Sequence, residues 1–216
     1  MIRAIGIDCA FANMGFAMVT LRFVESGVSI QCEHTHLATT EKNNDKRVRV
    51  SSDRLRRARE LHEHMHSMIT MWDAKIAFAE VPSGSQDAAA SFSLGIAVGV
   101  LASCPIPVIE VTPMEVKQAV SGSPKISPSK AQIIAWAAHR WPDAGWARAE
   151  HAARSKKGIL PAGRLLADNE HCADALAIVS AGILTPEFKQ AVVFHHAATR
   201  LADQRPSSNR IRVHGI

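Results

Sequence analysis

Two short apolar runs in this chain end in a carboxylate. Residues 2–8 read IRAIGID and residues 75–80 read KIAFAE, closing on Asp8 and Glu80. A carboxylate at the end of a buried strand is costly to desolvate unless a cation or hydrogen bonds meet it. A third carboxylate, Asp174, lies in the apolar stretch EHCADALAI, with His171 three residues before it. On a helix that spacing puts both side chains on one face. Asp174 is too deep in the helix to serve as a cap, whereas Asp168, Asn169 and Glu170 fit its first turn. Asp8, Glu80, Asp174 and His171 would together form a set of hard oxygen donors plus one imidazole. That set suits Mg²⁺ or Mn²⁺ and suits zinc far less. Two such ions can clamp the attacking water and the leaving oxygen of a phosphodiester, with Asp8 shared between them, Glu80 on one, and Asp174 and His171 on the other. His171 has a second possible role, orienting or deprotonating the water. Without a cation, carboxylates packed this closely repel and raise one another's pKa.

The elements that must bring these residues together can be read in order. Side chains alternate along the first strand, so Ile5 and Ile7 face one way and Ala4, Gly6 and Asp8 the other. GFAMVTLRF and VSIQCEHTHL extend it to a meander of three strands, with Gly15 expected at or just after the first turn. A polar connection leads to a helix over RLRRARELHEHMHSMITMW, capped by Ser52 or Asp53 and striped by Leu55, Ala58, Leu61, Met65, Met68 and Ile69. A strand ending at Glu80, the loop VPSGSQ and a small-residue helix follow. Next come the strand PVIEV, a helix capped by Thr112 with Pro113 in its first turn, and a helix capped near Ser127. Residues 142–168 form a basic stretch without clear period, and NEHCADALAIVSAGIL is the last strong helix. A meander followed by alternating helices and strands predicts an α/β fold, a mixed five-stranded sheet with helices on both faces. In such sheets polar sites collect at the carboxyl ends of neighbouring parallel strands. If the strands ending in Asp8 and Glu80 are neighbours, their carboxylates converge.

Composition bounds the possibilities. The chain has 216 residues, 47% of them hydrophobic and 21% charged, as in a soluble globular protein. This length points to one domain, over 1–185, with a basic insertion at about 142–168. A helix and tail over 186–216 follow. No uninterrupted apolar run reaches membrane-spanning length, and the N-terminus enters a strand directly. A cytoplasmic address, without membrane partners, is the expectation. Cys9, Cys32, Cys104 and Cys172 form no CxxC pair and read as buried reduced thiols. A net charge of +5 tilts the chain towards a polyanionic partner. The helix HEHMH places His62 and His66 on one face, which reads as a solvated surface or dimer contact rather than a metal site. VPSGSQ has one glycine and is no phosphate cradle, so no nucleotide cofactor is expected. An actin-like ATPase also begins with GID, but this chain is short for one.

GIDCAFANMGFAMV, IAFAEVPSGSQDAAASFSLGIAVGV, VTPMEVKQAVSG with SPSKAQI, and EHCADALAI, taken in order over about residues 1–183, resemble the successive motifs of the RuvC family of Holliday junction resolvases. The resemblance implies an RNase H-like fold and a homodimer. It also implies Mg²⁺-dependent cleavage of branched DNA, in a bacterial or phage-infected cell. It places Asp8, Glu80 and Asp174 on the family's acidic metal ligands and His171 where members carry Asp or His. It places Lys117 and Lys130 on the basic positions beside the scissile phosphate, where an ammonium would neutralise transition-state charge. Three residues after the glutamate, where the best-known members carry a junction-opening aromatic, this chain has Ser83. Phe92 or a residue of the long basic loop is left to take that place. Arg54, Arg57, Lys156 and Lys157, with Ser83, are the expected DNA-contacting positions outside the centre. The alternatives are another nuclease on this fold, for flaps or RNA–DNA hybrids, and a DNA-binding protein without catalysis.

Overall fold

The computed structural model describes residues 1–25, 27–81, 87–155 and 158–203, with backbone alone at 155 and from 195 onward. Its elements, in chain order, begin with β1 (Ile2–Asp8), β2 (Asn13–Val24), β3 (Gly27–Thr39), α1 (Val50–Trp72) and β4 (Ile76–Glu80). They continue with α2 (Ala88–Ala102), β5 (Val108–Val111), α3 (Pro113–Ser121), α4 (Lys130–Arg140), β6 (Ala153–Ser155), β7 (Gly158–Leu160), α5 (Glu170–Gly182) and α6 (Pro186–Asp203). Five strands form one mixed sheet in the order β3-β2-β1-β4-β5, and β6 pairs with β7 apart from it. β1 is the hinge of the design: antiparallel to β2 on one side and parallel to β4 on the other.

The alternation read from β1 divides the molecule into two cores. Ala4 and Phe78 face α3, α4 and α5, whose Val116, Ile134, Ala173, Leu176 and Val179 close that side. Ile5, Ile7, Ala77 and Ala79 face α1 and α2, whose Leu61, Met65, Ile69, Ala97 and Leu101 close the other. Both faces of the central strands are thus covered, which is why they read as continuous apolar runs.

The sequence reading differs from the structure at several ends. α1 begins at Val50 with Arg49 as its cap, ahead of the expected Ser52 or Asp53. Asp53 is buried, pairs with Arg56 and accepts the Asn43 N–H, so its carboxylate ties the preceding connection to the helix rather than capping it. α4 is capped by Ser129, not Ser127, in a reciprocal box with Gln132. The α3 cap at Thr112, with Glu115 closing its box, lies where the sequence placed it. The basic stretch contains the ribbon β6–β7. Beyond residue 185 the chain runs on as a long helix, α6, which inserts Phe188 against Phe78. Among the described residues no single helix is long and apolar enough to cross a membrane.

Candidate active site

The parallel pairing of β1 and β4 sets Asp8 opposite Glu80. Register partners in a sheet project to the same face, so both carboxylates rise at the carboxyl ends of adjacent central strands, towards α5. Gly15 is the register partner of Asp8 on β2, inside that strand rather than at the expected turn.

α5 reaches this edge because the sheet has no side chains in its way. A methyl group added at Gly6 would collide with the carbonyl oxygen of Ala175. One at Gly15 would collide with the carbonyl of His171, and one at Gly182 with the ring of Phe78. Sheet and helix therefore approach main chain to main chain at Gly6 and Gly15, and Ala173, Ala175 and Ala177 of α5 are fully buried. This contact lowers the N-terminal turns of α5 onto Asp8. The imidazole Nδ1 of His171 lies 2.6 Å from Asp8 Oδ2.

The electrostatics report one shared cluster. Burial pushes the Asp174 carboxyl up to about 7, and the charges of Asp8, Glu170 and Glu80 add to the rise against a smaller opposing effect of His171. Burial likewise raises Glu80, with Asp8 adding and Lys117 opposing. His171 is raised chiefly by its hydrogen bond to Asp8. Lys117 is exposed on α3 within electrostatic range of Glu80. Lys130 opens α4 and forms an ion pair with Glu170, one residue ahead of His171, while sensing Asp174 and Asp8. Six sequence-predicted residues, Asp8, Glu80, His171, Asp174, Lys117 and Lys130, thus meet at one edge of the sheet. Glu170, read from sequence as a first-turn capping residue, is in addition the partner that holds Lys130.

Asp8, Glu80, Asp174 and His171 could hold a divalent cation. The donor set is oxygen-rich with one imidazole, and the rise of the Glu80 and Asp174 carboxyls, through burial first and neighbouring negative charge second, is a penalty that a cation would offset. Among the described residues no three His, Cys, Asp or Glu side chains already stand at full metal-ligand spacing.

The remaining expectations distribute differently. Arg57 donates to Thr40 Oγ1 at 3.0 Å and to the Phe11 carbonyl at 3.3 Å, and stacks 4.0 Å over the Phe11 ring. It braces the loop that follows Asp8. Arg54 stacks 4.3 Å over Phe92, which is half exposed on α2. Ser83, Lys156 and Lys157 lie outside the described residues. Cys9 and Cys172 are buried thiols, pushed up to about 12 and about 11 by burial, so neither supplies a thiolate. Trp141 and Trp146 are buried with their indole N–H groups on the carbonyls of Ile30 and Trp141. His62 and His66 both lie against Ser103 at the end of α2, and His64 turns instead towards His36.

No protein-family model matches the sequence, and no curated protein matches it. Solved structures do match the fold. RuvC of T. thermophilus in complex with a Holliday junction substrate superposes with a TM-score of 0.57 at 17% identity, covering 84% of this chain and 92% of that one. A second Thermus thermophilus RuvC structure gives 0.55 at 17% identity, covering 83% and 92%. The mixed five-stranded sheet, the helices on both its faces and the carboxylate edge described above therefore belong to a chain that has the fold of the RuvC resolvases.

Proposed function

We propose that this protein is a divalent-metal-dependent, structure-selective DNA endonuclease that resolves four-way junctions by phosphodiester hydrolysis. The observation that carries this reading is the apposition of Asp8 and Glu80 on adjacent parallel strands beneath His171 and Asp174 of α5. The fold shared with RuvC, one structure of which holds a Holliday junction substrate, supports branched DNA as the substrate class.

Asp8, Glu80, Asp174 and His171 would hold Mg²⁺ or Mn²⁺, two ions in the full site. Bound there, the metal supplies charge neutralisation at the phosphate and a more acidic water. The chain's own groups do the rest. Asp8 holds His171 through Nδ1, which leaves Nε2 free to face water or phosphate. Where it does not ligate the ion, His171, with its pKa raised by Asp8, would accept a proton from the attacking water. Lys117, beside Glu80, and Lys130, held by Glu170, bring ammonium charge to the flank where a phosphate would lie.

A homodimer completes the proposal, since two strands must be cut. α2 supports it: the helix is apolar apart from Ser91 and Ser93, yet only Ala97, Val100 and Leu101 are buried. Ser91, Phe92, Gly95 and Gly99 are exposed on it, and a second copy is the occupant that this face fits.

The test is cleavage of labelled four-way junction, nicked duplex, flap and RNA–DNA hybrid, with Mg²⁺ or EDTA, beside Asp8→Asn. Paired symmetric nicks in the junction, lost in EDTA and in the variant, are expected. Cutting of flaps or hybrids alone would move the assignment to another nuclease. Tight binding without cleavage would move it to a DNA-binding protein.

A further inference from the structure

The chain between α4 and α5 builds a projection that the carboxylate cluster does not use. β6 and β7 pair antiparallel, Ala153 with Leu160 and Arg154 with Ile159. Their base is closely tied. Ala149 N–H donates to the Arg164 carbonyl, Gly163 N–H to Ala149 and Leu166 N–H to Ala147. The Arg148 guanidinium donates to the Gly163 carbonyl, and that of Arg164 to the carbonyls of His151 and Pro161. The buried Asn169 accepts the Ala147 N–H and returns its own amide to the carbonyls of Ala147 and Leu166. Asn169 immediately precedes α5. The ribbon is thus a fixed arm that shares its anchor with the helix carrying His171 and Asp174.

The side chains on the arm are of two kinds. Arg148 and Arg164 are committed to backbone carbonyls at its base. Arg154 is exposed, and its guanidinium has no partner among the described residues. Directly across the ribbon stands Ile159, 77% exposed. Cross-strand partners project to one face, so a guanidinium and an aliphatic side chain sit side by side facing solvent. Ile159 contributes little to folding in that position. A two-stranded ribbon fits a DNA groove. An apolar side chain can also wedge between base steps while a neighbouring cation holds the phosphate.

We propose that the β6–β7 arm opens the branch point of the DNA, with Ile159 as the wedge and Arg154 as its phosphate contact. This inference rests on the nuclease reading above and names the element that gives it selectivity for branched substrate.

The experiment uses the full chain and a four-way junction carrying 2-aminopurine at the branch. In EDTA, wild type is expected to raise the fluorescence as bases unstack, and Ile159→Ser to abolish the rise. Ile159→Phe should retain it. With Mg²⁺, Ile159→Ser should cut the fully paired junction about tenfold more slowly. It should recover wild-type rate on a junction whose central bases are mismatched, a rescue that a merely structural role would not give. Arg154→Ala should lower the log–log salt slope of binding by about 0.9. If Ile159→Ser unstacks and cuts the paired junction as wild type does, the arm is not the wedge while the nuclease reading stands. If wild type neither binds nor cuts branched DNA, both readings fall together.

Discussion

Asp174→Asn should stabilise the metal-free protein while abolishing its chemistry. The carboxyl of Asp174 titrates near 7, raised from 3.8 chiefly by burial, with Asp8, Glu170 and Glu80 adding. Between about pH 4 and pH 7 the folded chain holds a proton that the unfolded chain has released, so stability falls as the pH rises through that window. Fully developed, a shift of this size corresponds to about 4 kcal/mol at 1.36 kcal/mol per unit. Relaxation and counter-ions should leave about half, or ~2 kcal/mol. Asparagine keeps the shape and removes the charge. In EDTA at pH 8 the variant should therefore melt about 4–8 °C above wild type, at 2–4 °C per kcal/mol for a chain of this size. Near pH 4 the two should melt together. Adding Mg²⁺ at pH 8 should raise wild type by linkage and raise the variant less. The assay is thermal unfolding of both proteins across pH, with and without Mg²⁺. A variant less stable than wild type at pH 8 by the same margin as at pH 4 would refute the argument, making Asp174 a structural hydrogen-bonding residue.

Other expectations follow from the same geometry. Asp8→Asn should cut activity by roughly a thousandfold or more, and the pKa of His171, followed by NMR, should drop towards its ordinary value as its partner's charge is lost. Gly15→Ala should force α5 off the sheet, costing at least ~2 kcal/mol by overpacking and losing activity together with stability; unchanged melting would contradict the close approach. Arg57→Ala should lower stability by about 1–2 kcal/mol through loss of its bonds and stacking at Phe11, with junction affinity changed less than for Arg154→Ala. Lys117→Met should slow cleavage and push Glu80 further up, readable as a shift of the Mg²⁺ requirement to higher pH.

The site was legible because its residues break a local rule. Asp8 and Glu80 are carboxylates ending apolar strands, and Asp174 is one inside an apolar helix. Each is conspicuous in a short window, and the strand order then brings them together. The alternation in β1 likewise gave both cores. What could not be read depended on distant partners. β6 and β7 are too short to show a period, and hydrogen bonds from 147–149 to 163–166 make them a ribbon. Gly15 looked like a turn residue because nothing local reveals that a helix more than 150 residues away lies on it. Ser129 was legible in principle, since Gln132 three residues on completes a capping box, but the nearby Ser127–Pro128 pair offered a competing signal. Arg57 looked free because its acceptors, Thr40 and the Phe11 carbonyl, lie in other segments.

The backbone contact between α5 and the sheet bears on how the centre behaves when empty. A helix resting on Gly6 and Gly15, with Gly182 against Phe78, cannot lift at one end without losing buried main-chain contact along its length. Its amides should exchange with deuterium only through whole-molecule opening, at rates that metal loading changes only as far as it changes global stability. The carboxylates are then held apposed before any ion arrives, and capture of the ion needs no ordering of the chain. Cation on-rates should accordingly be set by dehydration of the ion, the same for a freshly stripped protein as for one equilibrated in chelator.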